Sequence, residues 1–159
     1  SILSVRENMS LANLPSYCNK LKFVQTAREE REVDEMVERM NVKLSTPAQP
    51  IGSLSGGNQQ KAILGKWLLT KPNVLILDEP TRGIDVGAKY EIYSLIAKLA
   101  AEGMAVILIS SELPEMMGMA DRVITFCEGR ITAEFTSNEI EQERIVNAAF
   151  GFQNAEELS

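Results

Sequence analysis

Apolar positions along the chain follow two different rhythms. From Thr26 to Met40, Val33, Met36, Val37 and Met40 recur at the three- and four-residue spacing of one helix face, and charged residues fill the rest. This predicts an exposed amphipathic helix whose charge run Arg28–Glu32 is a solvated side. Before it the signals are mixed, and Pro15 with Ser16–Lys20 reads as loop. Two prolines and a glycine in Ser45–Ser53 mark a connection. A second helix is expected after Ser55, with Ala62, Ile63, Trp67 and Leu68 on its buried side.

Beyond Pro72-Asn73 the rhythm changes. Val74–Leu77 is a short continuous apolar run, the pattern of a strand buried on both faces, and Ala105–Ile109 repeats it. Between them Gly87–Glu102 reads as a helix with Ile92, Ile96 and Leu99 aligned and Gly103 as its C-terminal cap. Ser111 is expected to cap a short helix that tolerates Pro114 in its first turn. Arg122–Cys127 and Arg130–Phe135 flank Glu128-Gly129, a tight hairpin turn. Thr136 or Ser137 opens a last helix to about Phe150, with Glu139 placed for a capping box, and Gln153–Ser159 is expected to fray. Helices followed by strand–helix–strand–helix predict an α/β fold with a parallel sheet and a helical subdomain in front. The expected divisions are 1–72, 73–152 and a tail at 153–159.

Composition narrows the function. Hydrophobic residues at 45% and charged residues at 24% fit one globular domain with a core. A net charge of -6 argues against a nucleic-acid partner. The chain has no histidine, and its two cysteines, Cys18 and Cys127, lie far apart, so a zinc site is not expected. The longest apolar runs fall far short of the roughly 20 residues of a membrane span, so any membrane role needs a partner protein.

Two segments carry chemistry. Leu54-Ser55-Gly56-Gly57-Asn58-Gln59-Gln60-Lys61 sets a serine and two glycines at a helix start. Unpaired amides, the helix dipole and close backbone approach suit a nucleotide phosphate there. Taken alone, the segment reads as a plain N-cap. The second segment, Val74–Pro80, ends a buried strand in Asp78-Glu79. Ligands of α/β folds bind at strand ends, where Asp78 can hold Mg²⁺ and Glu79 can orient or deprotonate a water. Taken alone, it is also an acidic turn after a strand. The methionines at 116, 117 and 119 read as flexible core filler.

In this order the segments resemble the ATP-binding cassette (ABC) family. Leu54–Lys61 is similar to its signature motif, Val74–Glu79 to its Walker B strand and catalytic glutamate, and Thr81-Arg82-Gly83-Ile84-Asp85 to its D-loop. Asn58–Lys61 and Arg82–Lys89 resemble the ribose/galactose/arabinose-type importers, Ser4–Met9 the segment after the Q-loop in their second cassette, and Ile109–Leu113 their segment at the switch-histidine position. The resemblance covers essentially the whole chain. It implies a partial P-loop NTPase (RecA-like) core with the helical signature subdomain.

Two departures stand out. No Gly-x-x-x-x-Gly-Lys-Ser/Thr phosphate loop occurs, and the one Gly-Lys pair, Gly65-Lys66, lies inside a helix. The chain therefore reads as part of a longer cassette, inactive alone. Ser111 stands where the family has its switch histidine, and a hydroxyl cannot carry an imidazolium's charge.

The resemblance implies ATP and Mg²⁺ as cofactors, with Asp78 on the metal and Glu79 and Ser111 at catalytic positions. It implies that Ser55, Gly56, Gly57 and Gln59 complete the nucleotide site of an opposing cassette, with Asp85 at the cassette interface. That cassette belongs to the same chain or to a homodimer partner. Membrane permease subunits are further partners, a periplasmic sugar-binding protein an indirect one, and the location is the cytoplasmic face of the bacterial inner membrane. Competing readings are a non-catalytic partner module and a soluble ABC protein acting on ribosomes or DNA.

Overall fold

Helix α1 (Val5–Ser10) starts from a capping box that the mixed signals of the first 20 residues conceal. The Ser4 hydroxyl accepts from the Glu7 amide at 3.2 Å, and the Ser4 amide donates to the Glu7 carboxylate at 2.7 Å. Pro15 sits in the first turn of α2 (Leu14–Tyr17), where its missing N–H is harmless, so Pro15–Tyr17 form one helical turn while Cys18–Lys20 are the loop expected. The structure, a computed structural model, describes residues 3–152. Residues Gln153–Ser159, expected to fray, lie outside the described residues.

By internal contacts the chain forms two units, Ser1–Ile107 and Leu108–Ser159. The first unit packs α1, α3 (Thr26–Arg39) and α4 (Gly56–Leu68) around Val5, Met9, Val33, Met36, Val37, Met40, Leu64 and Leu68. Helix α3 buries the stripe predicted for it. Gly65 marks where these helices meet: a Cβ there would lie 2.6 Å from Met9 Cε and 3.1 Å from Met36 Cγ. Its glycine serves packing. Helix α4 differs from expectation on one side, since Ala62 and Leu68 are buried but Ile63 and Trp67 are 42% and 49% exposed. The close approach at Gly65 turns the buried stripe toward Gly57, Lys61, Leu64 and Leu68.

Strands β1 (Val74–Asp78) and β2 (Ala105–Ile109) pair as a two-stranded sheet, joined by α5 (Val86–Ala101). The Ala105 amide bonds the Asn73 carbonyl, so both strands start at the same end and run parallel. Helix α5 buries Ile92, Ile96 and Leu99, and the sheet buries Leu75 and Leu77. The continuous apolar run predicted two buried faces. Among the described residues only one is covered, and Val74 and Ile76 are 50% and 62% exposed. Gly103, at φ +96, closes α5 with the Met104 amide reaching the Leu99 carbonyl, as a glycine cap does.

The second unit carries α6 (Leu113–Met119) and an antiparallel hairpin of β3 (Arg122–Cys127) and β4 (Arg130–Thr136). Glu128 and Gly129 both have positive φ, +48° and +76°, the backbone of a type I′ turn. Val123, Phe135, Ile145 and Ala148 form the core, with Met116 packed against it. The single last helix expected from Thr136 is two pieces. Thr136 and Glu139 do close a capping box, but on one 3₁₀ turn, Ser137–Glu139. Ile140 and Glu141 are extended, and α7 (Gln142–Ala149) starts afresh.

Candidate functional site

At the start of α4, Ser55 takes the N-cap backbone conformation, φ -61° and ψ 155°, yet its hydroxyl makes no capping bond. The Asn58 side-chain Nδ2 donates to that hydroxyl at 2.9 Å, and Asn58 Oδ1 accepts from the Lys43 backbone amide at 2.8 Å. The first-turn amides of this 13-residue helix therefore carry no side-chain cap, and Ser55 and Gly56 are exposed above them. A helix N-terminus in this state attracts an anion through its free N–H groups and its dipole.

The two glycines are not equivalent. A Cβ on Gly56 would meet nothing within 4 Å, which leaves its backbone open to a ligand. A Cβ on Gly57 would lie 2.6 Å from Ala88 Cβ, so Gly57 is where α4 packs on α5. Gln59 donates to the Leu54 carbonyl at 2.8 Å, folding back on the loop that leads into the helix.

Asp78 is exposed at the end of β1. Glu79 follows in the left-handed region, at φ +47, a costly conformation for a residue with a Cβ. Pro80 and Thr81 are buried beneath the turn, which the Arg82 amide closes onto the Glu79 carbonyl at 3.2 Å. Asp85 then caps α5, accepting from the Ala88 amide at 2.9 Å. The open helix start fits a nucleotide phosphate, and the exposed carboxylate of Asp78 is the donor type Mg²⁺ takes alongside phosphate oxygens and water. The two features would serve nucleotide separately, the helix start toward a phosphate and Asp78 toward Mg²⁺, and ATP with Mg²⁺ would supply a phosphoryl group that water can attack.

Ser55, Gly56, Asp78, Glu79 and Asp85 all belong to the first unit. Ser111 belongs to the second, where it is exposed ahead of α6. It was expected to cap that helix, but the N-cap position is Glu112, whose side chain makes no capping bond. Ser110 orders the segment instead: its hydroxyl accepts from the Glu112 amide at 3.0 Å and donates to Glu115 Oε2 at 2.5 Å. Glu115 is buried, so its bond to Ser110 ties the start of α6 to the residue before Ser111.

Two residues beside the site, Lys61 at the end of the motif and Glu91 outside it, were given no role by the motif reading. Lys61 is 3% exposed, and its ammonium donates to Glu91 Oε2 at 2.6 Å and to the Asn41 carbonyl at 2.8 Å. These lysine bonds, with a smaller contribution from Lys43, hold the Glu91 carboxyl below its ordinary range. The signal was present: Lys61 falls on the stripe Gly57, Leu64 and Leu68, and a lysine on an apolar stripe demands a partner.

A parallel strand–helix–strand unit with an acidic strand end, beside a helix opened by Ser-Gly-Gly, defines part of a nucleotide-binding cassette. The fold is similar to that of a metal-chelate type ABC transporter solved in an inward-facing conformation, with a TM-score of 0.82 at 17% identity over 94% of this chain and 59% of that one. The profile of the ABC transporter family matches residues 1–82, more than half the chain, and the chain belongs to that family. It is 50% identical over 152 residues to the ribose import ATP-binding protein RbsA of Clostridium perfringens, covering 96% of this chain and 30% of that protein. To the xylose import ATP-binding protein XylG of Histophilus somni it is 51% identical over 148 residues, covering 93% and 29%. The chain thus spans about 30% of the length of the relatives it matches.

Proposed function

We propose that this chain is the signature-bearing part of the ATP-binding component of a bacterial sugar importer, working at the cytoplasmic face of the inner membrane beside permease subunits. Identity near 50% to ribose and xylose import ATP-binding proteins supports the substrate class. The observation that carries the mechanism is the uncapped, exposed first turn of α4 at Ser55 and Gly56. In this reading Ser55, Gly56 and Gln59 close over ATP held by a second cassette, and their amides and hydroxyl stabilise charge developing on the transferred phosphate. Asp85 and the turn before it lie at the cassette interface. Asp78 holds Mg²⁺ and Glu79 orients water in the site built on this cassette's own strand. With Ser111 in place of an imidazole, that second site is the weaker of the two. A sugar-binding protein outside the membrane delivers the cargo to the permease.

The test is a pair of variants in the full-length protein assembled with its permease. Ser55→Arg fills the open helix start with a bulky cation and abolishes ATP hydrolysis and uptake. Glu79→Gln leaves much of the hydrolysis rate. Equal loss in both variants would overturn the asymmetry, and full activity of Ser55→Arg would overturn the signature role.

A further inference from the structure

We infer that Lys61 is a positioning residue that bolts the signature helix to the helix following the acidic turn, so that Ser55 and Asp85 are presented as one rigid edge. The inference rests on the proposed roles of those two residues. Helices α4 and α5 touch at two successive points. Nearer their starts, Gly57 lies against Ala88, so close that a Cβ would come within 2.6 Å of its neighbour. One turn further, Lys61 Nζ meets Glu91 Oε2 at 2.6 Å. The steps from Gly57 to Lys61 and from Ala88 to Glu91 are four and three residues, so each pair shares one face of its own helix. Two points fix both the separation and the relative direction of the two axes, which one point cannot do.

The loop after α3 closes the arrangement. Its Asn41 carbonyl takes a second proton of the Lys61 ammonium, and Lys43 Nζ lies 3.7 Å from Glu91 Oε1. The Lys43 amide binds Asn58, which in turn donates to the Ser55 hydroxyl. Lys61 is buried, and its ammonium cannot swing out to water without breaking these bonds. A displacement of Ser55 is therefore transmitted to Asp85 at the head of α5.

The experiment uses the full-length protein with every native cysteine, Cys18 and Cys127 among them, replaced by serine and spin labels on cysteines introduced at exposed Ile63 and Ser94, one on each helix. Lys61→Met and Glu91→Ala are each expected to broaden the inter-label distance distribution and to lower kcat by about 100-fold, the scale of an ångström misplacement, with KM for ATP unchanged. Lys61→Arg and Glu91→Gln keep a donor and an acceptor and are expected to restore both readings. A distribution unchanged in the two disruptive variants overturns the inference, and so does a broadened distribution with an unaltered rate. If Lys61→Met does not fold, Glu91→Ala, which trims an exposed side chain, decides. If the unmutated protein hydrolyses no ATP, the proposed function fails by itself, and an unchanged label distance then overturns the bolt separately.

Discussion

Helices α1 and α4 both begin at a serine in extended backbone, and they use it in opposite ways. Ser4 at α1 turns its hydroxyl onto the Glu7 amide, and Glu7 reaches back, so the local donors are satisfied within the chain. Ser55 at α4 leaves the amides above it without a side-chain cap, because Asn58 holds its hydroxyl and no acid stands three residues on. The 3₁₀ turn after β4 repeats the first solution through Thr136 and Glu139, and Asp85 caps α5 in the simpler way. A start that only has to be stable satisfies its own N–H groups. The start proposed to receive a phosphate keeps them available, which costs the isolated helix about 1 kcal/mol of capping.

Several substitutions can break this comparison. The largest effect is that of Ser55→Arg, complete loss of turnover with little change in melting temperature. Next is the glycine pair. Gly57→Ala forces a methyl into Ala88 and is expected to destabilise the fold by about 1–3 kcal/mol, measured by chemical denaturation. Gly56→Ala meets no atom, so it leaves stability unchanged or slightly raised and acts on turnover alone. If both alanines behave alike, the two glycines do not divide packing from ligand approach. Ser4→Ala is a smaller change, a loss of about 1 kcal/mol of stability with kcat untouched.

The smallest effect is a shared acid sensitivity. Glu7 is held below the ordinary 4.5 chiefly by the Ser4 hydroxyl, Glu139 by the Thr136 hydroxyl and Glu91 by Lys61. A carboxylate whose folded pKa is depressed contributes stability that is present above its unfolded value and lost as pH falls through the folded one. Denaturation midpoints should therefore hold steady from neutral pH down to about 4.5 and fall below it. Ser4→Ala should flatten part of that fall, since it releases Glu7.

Much of this was legible along the chain. The stripe of α3, the strand–helix–strand order, the glycine cap after α5 and the Glu128-Gly129 turn follow from local periodicity and backbone chemistry. Motif order alone brought Ser55, Asp78, Glu79 and Asp85 forward. What failed had a common cause. Ile63 and Trp67 were assigned to a buried side from their apolarity, but the close approach at Gly65 directs another stripe inward. Val74 and Ile76 are as apolar as their neighbours, and only the packing of the described residues decides which sheet face is covered. Ser111 and Ser110 are the same residue type side by side, and it took the buried Glu115 to choose between them.

The sequence by itself determined which residues the chemistry has available: a glycine-opened helix start, an acidic strand end and an aspartate at a helix head, each set by rules that act within a few residues. Only the tertiary structure decided how these are held. The division of labour between Gly56 and Gly57, the left-handed backbone of Glu79 and the burial of Lys61 between α4 and α5 depend on which segments meet across the chain. Packing is non-local, so the contact that makes Gly57 a spacer lies 31 residues away, at Ala88, where no local pattern marks it.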